Sequence, residues 1–387
     1  MPKTNICIGR YHTKVSRINT SADRIEDKMK IYNHCLLGDN GLINKKYEEV
    51  LYLLFYKHLP NKTELEKTEK IIKNTYKINY NIQFNLIKNN IEYFRNNPLN
   101  LVEINLLSLN CLEENQNINY ISLFVQCLIT SLNFFNIYMG MDFCLPLENL
   151  SIIENWLYII GKDYKNKDLV SNFSRMLIAW MECYLASSSV AGMLSISART
   201  DFISAVVSGF INCTGKKHTS ARIECAKFLL SLKEDIEKSG VDKNNLECIK
   251  KIIKNKVQGR LDNNKLVYGF GHYFFKELDD DGYDPRIRVV RKAINTIFPD
   301  SFYLKITEML VNMFRNGEFT RNGKEFKLPP NSDIFWTSFL LDFFKDYNFI
   351  PVEIMSLFTI LTRIAGLIAH CDEQYCESDP IKVSEED

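Results

Sequence analysis

Hydrophobic positions recur at helical spacing along nearly the whole chain. In VEIMSLFTILTRIAGLIAHCDEQ, residues 352–374, Leu357, Leu361, Ile364 and Ile368 fall at intervals of four, three and four. That is the stripe one face of an α-helix buries. YEEVLYLLFYKHLP, residues 47–60, puts Val50, Leu54 and His58 on one face and stops at Pro60. It makes His58 a core or interface histidine. NKTELEKTEKIIKN follows, with Thr63 and Glu66 spaced as a capping box. Strict apolar–polar alternation is rare, so little β-structure is expected and the fold class is all-α. No internal repeat emerges.

The most apolar long stretch, residues 121–147, carries Gln126, Asn133, Asn136 and Asp142. A buried helix pair fits it better than a membrane span. Phe134, Phe135, Phe274 and Phe275 read as core. Glycine and proline gather near 209–215, 266–290 and 327–333, with a helical, charge-rich region between. The expected organisation is a large helical domain from 1–219 and 327–387, with a smaller domain at 220–326. The terminal SEED reads as a disordered tail.

Composition narrows the classes. At 387 residues, with 46% hydrophobic and 25% charged positions, the chain can bury a sizeable core. A net charge of +1 gives no global field for nucleic acid or an anionic membrane. The 11 cysteines are odd in number and include no CxxC. They read as reduced thiols of a cytoplasmic protein. MPKTNICIGRYHTK lacks the apolar core of a signal peptide; its first acid is Asp23, so a transit peptide, and with it the mitochondrial matrix of a eukaryote, stays open beside the cytoplasm.

Candidate chemistry centres on LVYGFGHYFFKELDDDGYDPRIRVV, residues 266–290. Gly269-Phe270-Gly271-His272 is not a dinucleotide fingerprint, since a third glycine is missing, and it lacks the Lys-Ser/Thr of a phosphate loop. Glycines around a histidine let backbone approach a ligand closely. A lone histidine in such a loop is more often structural than catalytic. His218 in TGKKHTSAR, Asp333 in LPPNSDIFW, Arg286 and Arg363 could join His272 in acid–base work on a carboxylate-bearing substrate. Spacing alone does not bring them together. Asp279–Asp281 reads as a solvated turn rather than a cation site, and Cys183 as a packed or ligand-lining thiol rather than a nucleophile.

Five stretches, in order, resemble the citrate synthase family over nearly the whole length. YEEVLYLLFYKHLPNKTELE resembles its early helix pair, and residues 176–230 its central helices. GKKHTSAR stands where the family commonly has GPLHGGAN. LVYGFGHYFFKELDDDGYDPR resembles PGFGHRVYKNYDPR, and KLPPNSDIFW resembles KLYPNVDFYS. Residues 349–374 resemble the last core helix with its Arg-Thr-x-Gly-Trp-Ile-Ala-His pattern. The resemblance implies a two-domain helical subunit, with a large domain and a smaller mobile one, acting as a homodimer. It implies condensation of a short acyl-CoA such as acetyl-CoA with a 2-oxo acid such as oxaloacetate, releasing CoA. Acyl-CoA is then a co-substrate, no cofactor or metal is permanently bound, and neither nucleic acid nor membrane is a partner. It places His370, Cys371, Glu373 and Cys376 on a core helix rather than around zinc.

The resemblance also assigns roles. Asp333 matches the catalytic carboxylate that removes the thioester's α-proton. His218 matches the donor to the enolate oxygen, and His272 the histidine that polarises the ketone. Arg286 and Arg363 match carboxylate-binding arginines. Val267, Tyr268, Gly269, Phe270 and Gly271 resemble the loop that touches the adenine of CoA. The departures fall in the same places. WMECY, residues 180–184, stands for HADHE, so the oxo-acid-binding histidine falls on Cys183. Thr219 and Ser220 replace glycines, Arg222 replaces an asparagine beside the substrate, and Tyr273 replaces an arginine. Extra residues precede Asp284, and IKVSEED replaces the basic terminal signature. Three readings stay open: a condensing enzyme with altered oxo-acid recognition, a non-catalytic binding or scaffold protein, and a lyase that cleaves a citryl-CoA-type thioester.

Overall fold

The computed structural model describes all residues except 1–5, 9–12, 113–117, 183, 185, 216–217, 279–281, 348–351, 378–382 and 386–387. The chain divides into two compact units. The first comprises Met1–Ile18, Met29–His218 and Leu357–Asp387; the second comprises Asn19–Lys28 and Thr219–Ser356.

Nine helices lie wholly in the first unit's described residues: α1 (Tyr47–Tyr56), α2 (Lys62–Tyr76), α3 (Asn81–Asn90), α4 (Pro98–Leu107), α5 (Tyr120–Tyr138), α6 (Ile152–Ile159), α7 (Lys167–Trp180), α8 (Ser187–Ser197) and α9 (Phe202–Cys213). The second unit holds α10 (Ser220–Lys238), α11 (Leu246–Asp262), α12 (Arg286–Ile297), α13 (Phe302–Arg315) and α14 (Ser332–Phe343). The last helix, α15 (Val352–Glu377), contributes residues to both. Strands are short: β1 (Ile6–Ile8) pairs antiparallel with β7 (Val383–Glu385), β2 (Ser16–Ile18) with β3 (Met29–Ile31), β3 with β4 (His34–Cys35), and β5 (Phe319–Arg321) with β6 (Lys324–Phe326). The mostly helical reading holds.

Local chemistry sets the helix ends. α1 stops at Tyr56 because Lys57 turns left-handed, with φ 68°. His58 therefore leaves the apolar face that its spacing assigned to it. It is exposed, with Nδ1 2.9 Å from the Tyr56 carbonyl and Nε2 3.2 Å from Glu64 Oε1. The Glu64 hydrogen bond raises its basicity. The capping box of α2 also differs from the expectation. Asn61, not Thr63, is the cap: it accepts from Glu64 N at 3.0 Å, and Glu64 accepts from Asn61 N at 2.8 Å. Asn61 directly follows Pro60, and it is the first side chain placed to satisfy an orphan donor.

The apolar stretch 121–147 is one helix, α5, followed by a non-helical return, not a helix pair. Its asparagines explain the return. Asn133 Nδ2 donates to the Cys144 carbonyl at 3.1 Å and its Oδ1 accepts from Cys144 N at 2.7 Å. Asn136 Nδ2 reaches the Ile159 carbonyl at 2.8 Å. Two helices among the described residues, Tyr120–Tyr138 and Val352–Cys376, are long and apolar enough to cross a membrane, but 83% and 89% of their windows are buried in the fold. On α15, Leu357, Leu361, Ile364 and Ile368 are all buried, as their spacing predicts. Phe134, Phe135 and Phe275 are core; Phe274 is half-buried.

The second unit runs on through α14 to Ser356, where the sequence reading ends the small domain at 326. The reason is packing: α14 lies against α10, α12 and α13, and Ile334, Phe335, Trp336 and Phe339 are fully buried.

Candidate functional site

In the second unit, two turns are laced together. Gly271 N donates to the Pro329 carbonyl and Asn331 N to the Gly269 carbonyl, each at 2.8 Å. The Asn331 amide reaches the Gly271 carbonyl at 3.3 Å, while its Oδ1 caps α14 by accepting from Asp333 N at 3.1 Å. Gly269 has φ +87°, and a Cβ there would stand 2.6 Å from Ile334 Cβ. Only glycine lets this loop approach α14 so closely. Val267 is buried, Arg260 lies over the Tyr268 ring at 5.6 Å, and Phe270 packs against Phe314 at 4.4 Å between ring centroids.

Asp333 is the second residue of α14 and Arg222 the third of α10. Arg222 Nε donates to Asp333 Oδ1 at 2.6 Å, with the side chains 13% and 20% exposed. Arg222 Nη1 is buried without a hydrogen-bond partner among the described residues. Cys225 lies one turn further along α10; burial, with the Asp333 charge, pushes its thiol well up, so it stays protonated.

His272 and Arg286 meet on a residue to which the sequence reading gave no role, Asp284. Arg286 Nε donates to Asp284 Oδ1 at 2.9 Å and Nη2 to Oδ2 at 2.5 Å. His272 Nδ1 accepts from the backbone N–H groups of Phe274 and Phe275 at 3.0 and 3.2 Å. This assigns the neutral ring's proton to Nε2, which faces Asp284 Oδ2 at 3.4 Å. Burial alone would raise the Asp284 carboxyl. The Arg286 charge and the His272 and Arg286 hydrogen bonds outweigh it and hold the carboxyl far below the usual range. Asp284→Ala would leave Arg286 buried without its anion, and urea denaturation should show a loss of about 3–5 kcal/mol. A depressed carboxyl stabilises the fold above its unfolded value of about 4 and loses that contribution only as pH falls below it. The gap between wild type and variant should therefore stay constant from neutral pH to about pH 4 and narrow below.

The first unit holds the remaining groups. His218 Nε2 lies 3.1 Å from Ser188 Oγ near the start of α8, and His218 N donates to the Gly215 carbonyl at 2.9 Å. Arg363, on α15, is 5% exposed. Nε, Nη1 and Nη2 are all buried, and none has a hydrogen-bond partner among the described residues. Nearby on the helix, Gly366 admits the 181–182 segment: a Cβ there would meet Glu182 Oε2 at 2.0 Å and the Met181 carbonyl at 2.7 Å. Glu182 Oε1 takes His370 Nε2 at 3.0 Å and Ser16 Oγ at 3.1 Å. Thr13 Oγ1 sits 3.2 Å from His370 Nδ1 and donates to Glu373 at 2.6 Å. His370 and Glu373 thus serve a buried network. Cys183 and Asp279–Asp281 lie outside the described residues.

Within the second unit, Arg222 meets Asp333, and His272 and Arg286 converge on Asp284. Within the first, His218 meets Ser188, and Arg363 lies buried on α15. Sequence reasoning missed Asp284, Ser188 and Glu182. Asp284 left a signal, an acid two residues before an arginine with proline between. Ser188, in a run of serines, left none.

The sequence profile described as "Citrate synthase, C-terminal domain" matches residues 34–382. Citrate synthase 2 of Bacillus subtilis is 24% identical over 347 residues, spanning 86% of this chain and 83% of that protein. The citrate synthase of Haloferax volcanii is 26% identical over 237 residues, spanning 61% of this chain and 55% of that protein. The crystal structure of citrate synthase from Thermotoga maritima superimposes with a TM-score of 0.70 at 18% identity, covering 100% of this chain and 95% of that one. A ternary complex of the Thermoplasma acidophilum citrate synthase with carboxymethyl coenzyme A and oxaloacetate gives 0.72 at 18% identity, covering 96% and 92%.

Proposed function

Because this chain belongs to the citrate synthase family, we propose that it joins the α-carbon of a short acyl-CoA to the ketone of a 2-oxo acid, then hydrolyses the thioester and releases CoA. The observation that carries this reading is Arg363. A guanidinium that is 5% exposed, with none of its three nitrogens bonded among the described residues, calls for an anion from outside the protein. A carboxylate of the oxo acid supplies it, bidentately.

The Asp333 carboxylate removes the thioester's α-proton. His218, held by Ser188, donates to the oxygen on which enolate charge develops. The enolate carbon attacks the ketone carbon, the new C–C bond forms, and the carbonyl electron pair becomes an alkoxide that takes up a proton. His272 Nε2–H polarises that ketone. At 3.4 Å its contact with Asp284 is long for a hydrogen bond, so the N–H redirects at low cost. Water then adds to the thioester carbonyl and the CoA thiolate leaves. Arg286, gripped by Asp284, presents the edge of its guanidinium to a second carboxylate. The loop Val267–Gly271 contacts the adenine of CoA. The active form is a cytoplasmic homodimer.

A second reading, a binding protein without turnover, is favoured by one observation: Arg222 already occupies Asp333 Oδ1 at 2.6 Å. The reverse cleavage of a citryl-CoA-type thioester would use the same groups. The deciding experiment follows CoA release with a thiol reagent, pairing acetyl-, propionyl- and glutaryl-CoA with oxaloacetate and other 2-oxo acids. A blank without thioester is needed, because Cys248 and Cys376 are exposed. Release that depends on the oxo acid is the expected result. Binding of CoA esters with no release from any pair would establish the second reading, unless citryl-CoA is cleaved.

A further inference from the structure

Arg222 is the feature that the proposed reaction leaves unexplained. A general base needs its carboxylate open to the carbon acid. Here the nearest cation holds one oxygen of Asp333 at 2.6 Å, in surroundings that leave little of either side chain exposed. The ion pair spans α10 and α14 inside one unit and is not a fraying surface contact. A second nitrogen, Nη1, is buried without a hydrogen-bond partner among the described residues. The guanidinium therefore has more donor capacity than Asp333 uses, in a place where water does not supply acceptors freely.

We propose that Arg222 selects an acyl-CoA whose acyl chain carries its own terminal carboxylate, of the succinyl or glutaryl class, and that this carboxylate releases Asp333 to act as base. The inference rests on the condensation reading above. In that reading Asp333 takes the proton from the thioester's α-carbon, so the acyl chain lies against Asp333. A group in hydrogen-bond contact with Asp333 is then within reach of the far end of a short chain. The oxo acid's carboxylates fall to Arg363 and Arg286. A substrate carboxylate on Arg222 exchanges one anion for another, so the buried charge stays compensated while the base opens. A neutral acyl group offers no such exchange. With acetyl-CoA, freeing Asp333 would strand a half-buried guanidinium. The covalent chemistry is unchanged: the α-proton moves to Asp333, the C–C bond forms, and water displaces CoA.

The test compares thioesters of equal chain length that differ in the terminal group: glutaryl- against pentanoyl-CoA and succinyl- against butyryl-CoA. Their binding to the full-length protein is measured by calorimetry, with and without oxaloacetate. The wild type should bind the carboxylated member of each pair about tenfold more tightly. Arg222→Asn should bring the ratio to near one, and Arg222→Lys should retain part of the preference. A ratio near one in the wild type, or one unchanged by Arg222→Asn, overturns the inference and leaves condensation standing. No binding of any CoA ester by a wild-type protein that melts cooperatively overturns the condensation reading, and this inference falls with it.

Discussion

Asp333→Asn is expected to lower oxo-acid-dependent CoA release by about a hundredfold to ten-thousandfold, the range that a positioned proton acceptor contributes. The amide keeps an acceptor oxygen at Oδ1, so the 2.6 Å contact from Arg222 Nε has a counterpart in the variant. The α14 cap is a separate interaction, from Asn331 Oδ1 to the residue 333 backbone N–H. Folding and substrate binding should therefore survive, and the loss should appear in kcat rather than KM. Asp333→Ala is the harsher change. It removes the acceptor as well as the charge, so its loss of rate would mix chemistry with local rearrangement. Steady-state CoA release together with calorimetric binding of the thioester separates the two. A rate that persists in the asparagine variant would place the base elsewhere and end the assignment of Asp333.

How much of the fold is legible in the sequence depends on the range over which each feature acts. Helices driven by apolar stripes read well, because the stripe repeats within a few residues: Leu357, Leu361, Ile364 and Ile368 are buried as spaced. Features set by a single backbone angle do not. The left-handed Lys57 ends α1 and turns His58 outward, and nothing in the apolar spacing announces it. Thr63 and Asn61 are both capping residues by type; Asn61, with extended backbone directly before the first helical residue, is the one that works. The asparagines of α5 look like interruptions in a helix pair, yet Asn133 binds the returning backbone at Cys144 and Asn136 the end of α6, which periodicity cannot show.

The site divides in the same way. His218, His272, Asp333, Arg286 and Arg363 are named through a family resemblance carried by short motifs. Their partners are not, because partnership is a tertiary fact. Arg222 and Asp333 lie 111 residues apart in the chain. The resemblance marks Arg222 as a departure, but only the fold makes it the cation on the proposed base. Arg286 is the opposite case. Its partner Asp284 is two residues away, and the Asp-Pro-Arg triplet could have been read as an internal ion pair. Its consequence is physical: an arginine matched to a substrate carboxylate already holds one of the protein's own.

Arg363 has no hydrogen-bond partner among the described residues, and that contrast yields the second large effect. Arg363→Met should make the unliganded protein more stable by about 1–4 kcal/mol, because a buried guanidinium without hydrogen-bond partners among the described residues gives way to a flexible apolar chain of similar reach. The same variant should lose its response to oxaloacetate. Wild-type protein at a hundred times the dissociation constant gains about 2.7 kcal/mol from a ligand that binds only the native state. The variant should gain almost none. Urea denaturation with and without oxaloacetate should therefore show the variant above the wild type without ligand, and that gap smaller by about 2.7 kcal/mol, or reversed, with ligand. The pairing of the two outcomes is what discriminates. A purely structural arginine would lose stability on replacement, because its hydrogen bonds would vanish, and ligand would be irrelevant. A variant that is less stable than the wild type, and still shifts with oxaloacetate, would show that Arg363 is satisfied from within the protein and that the oxo acid binds elsewhere.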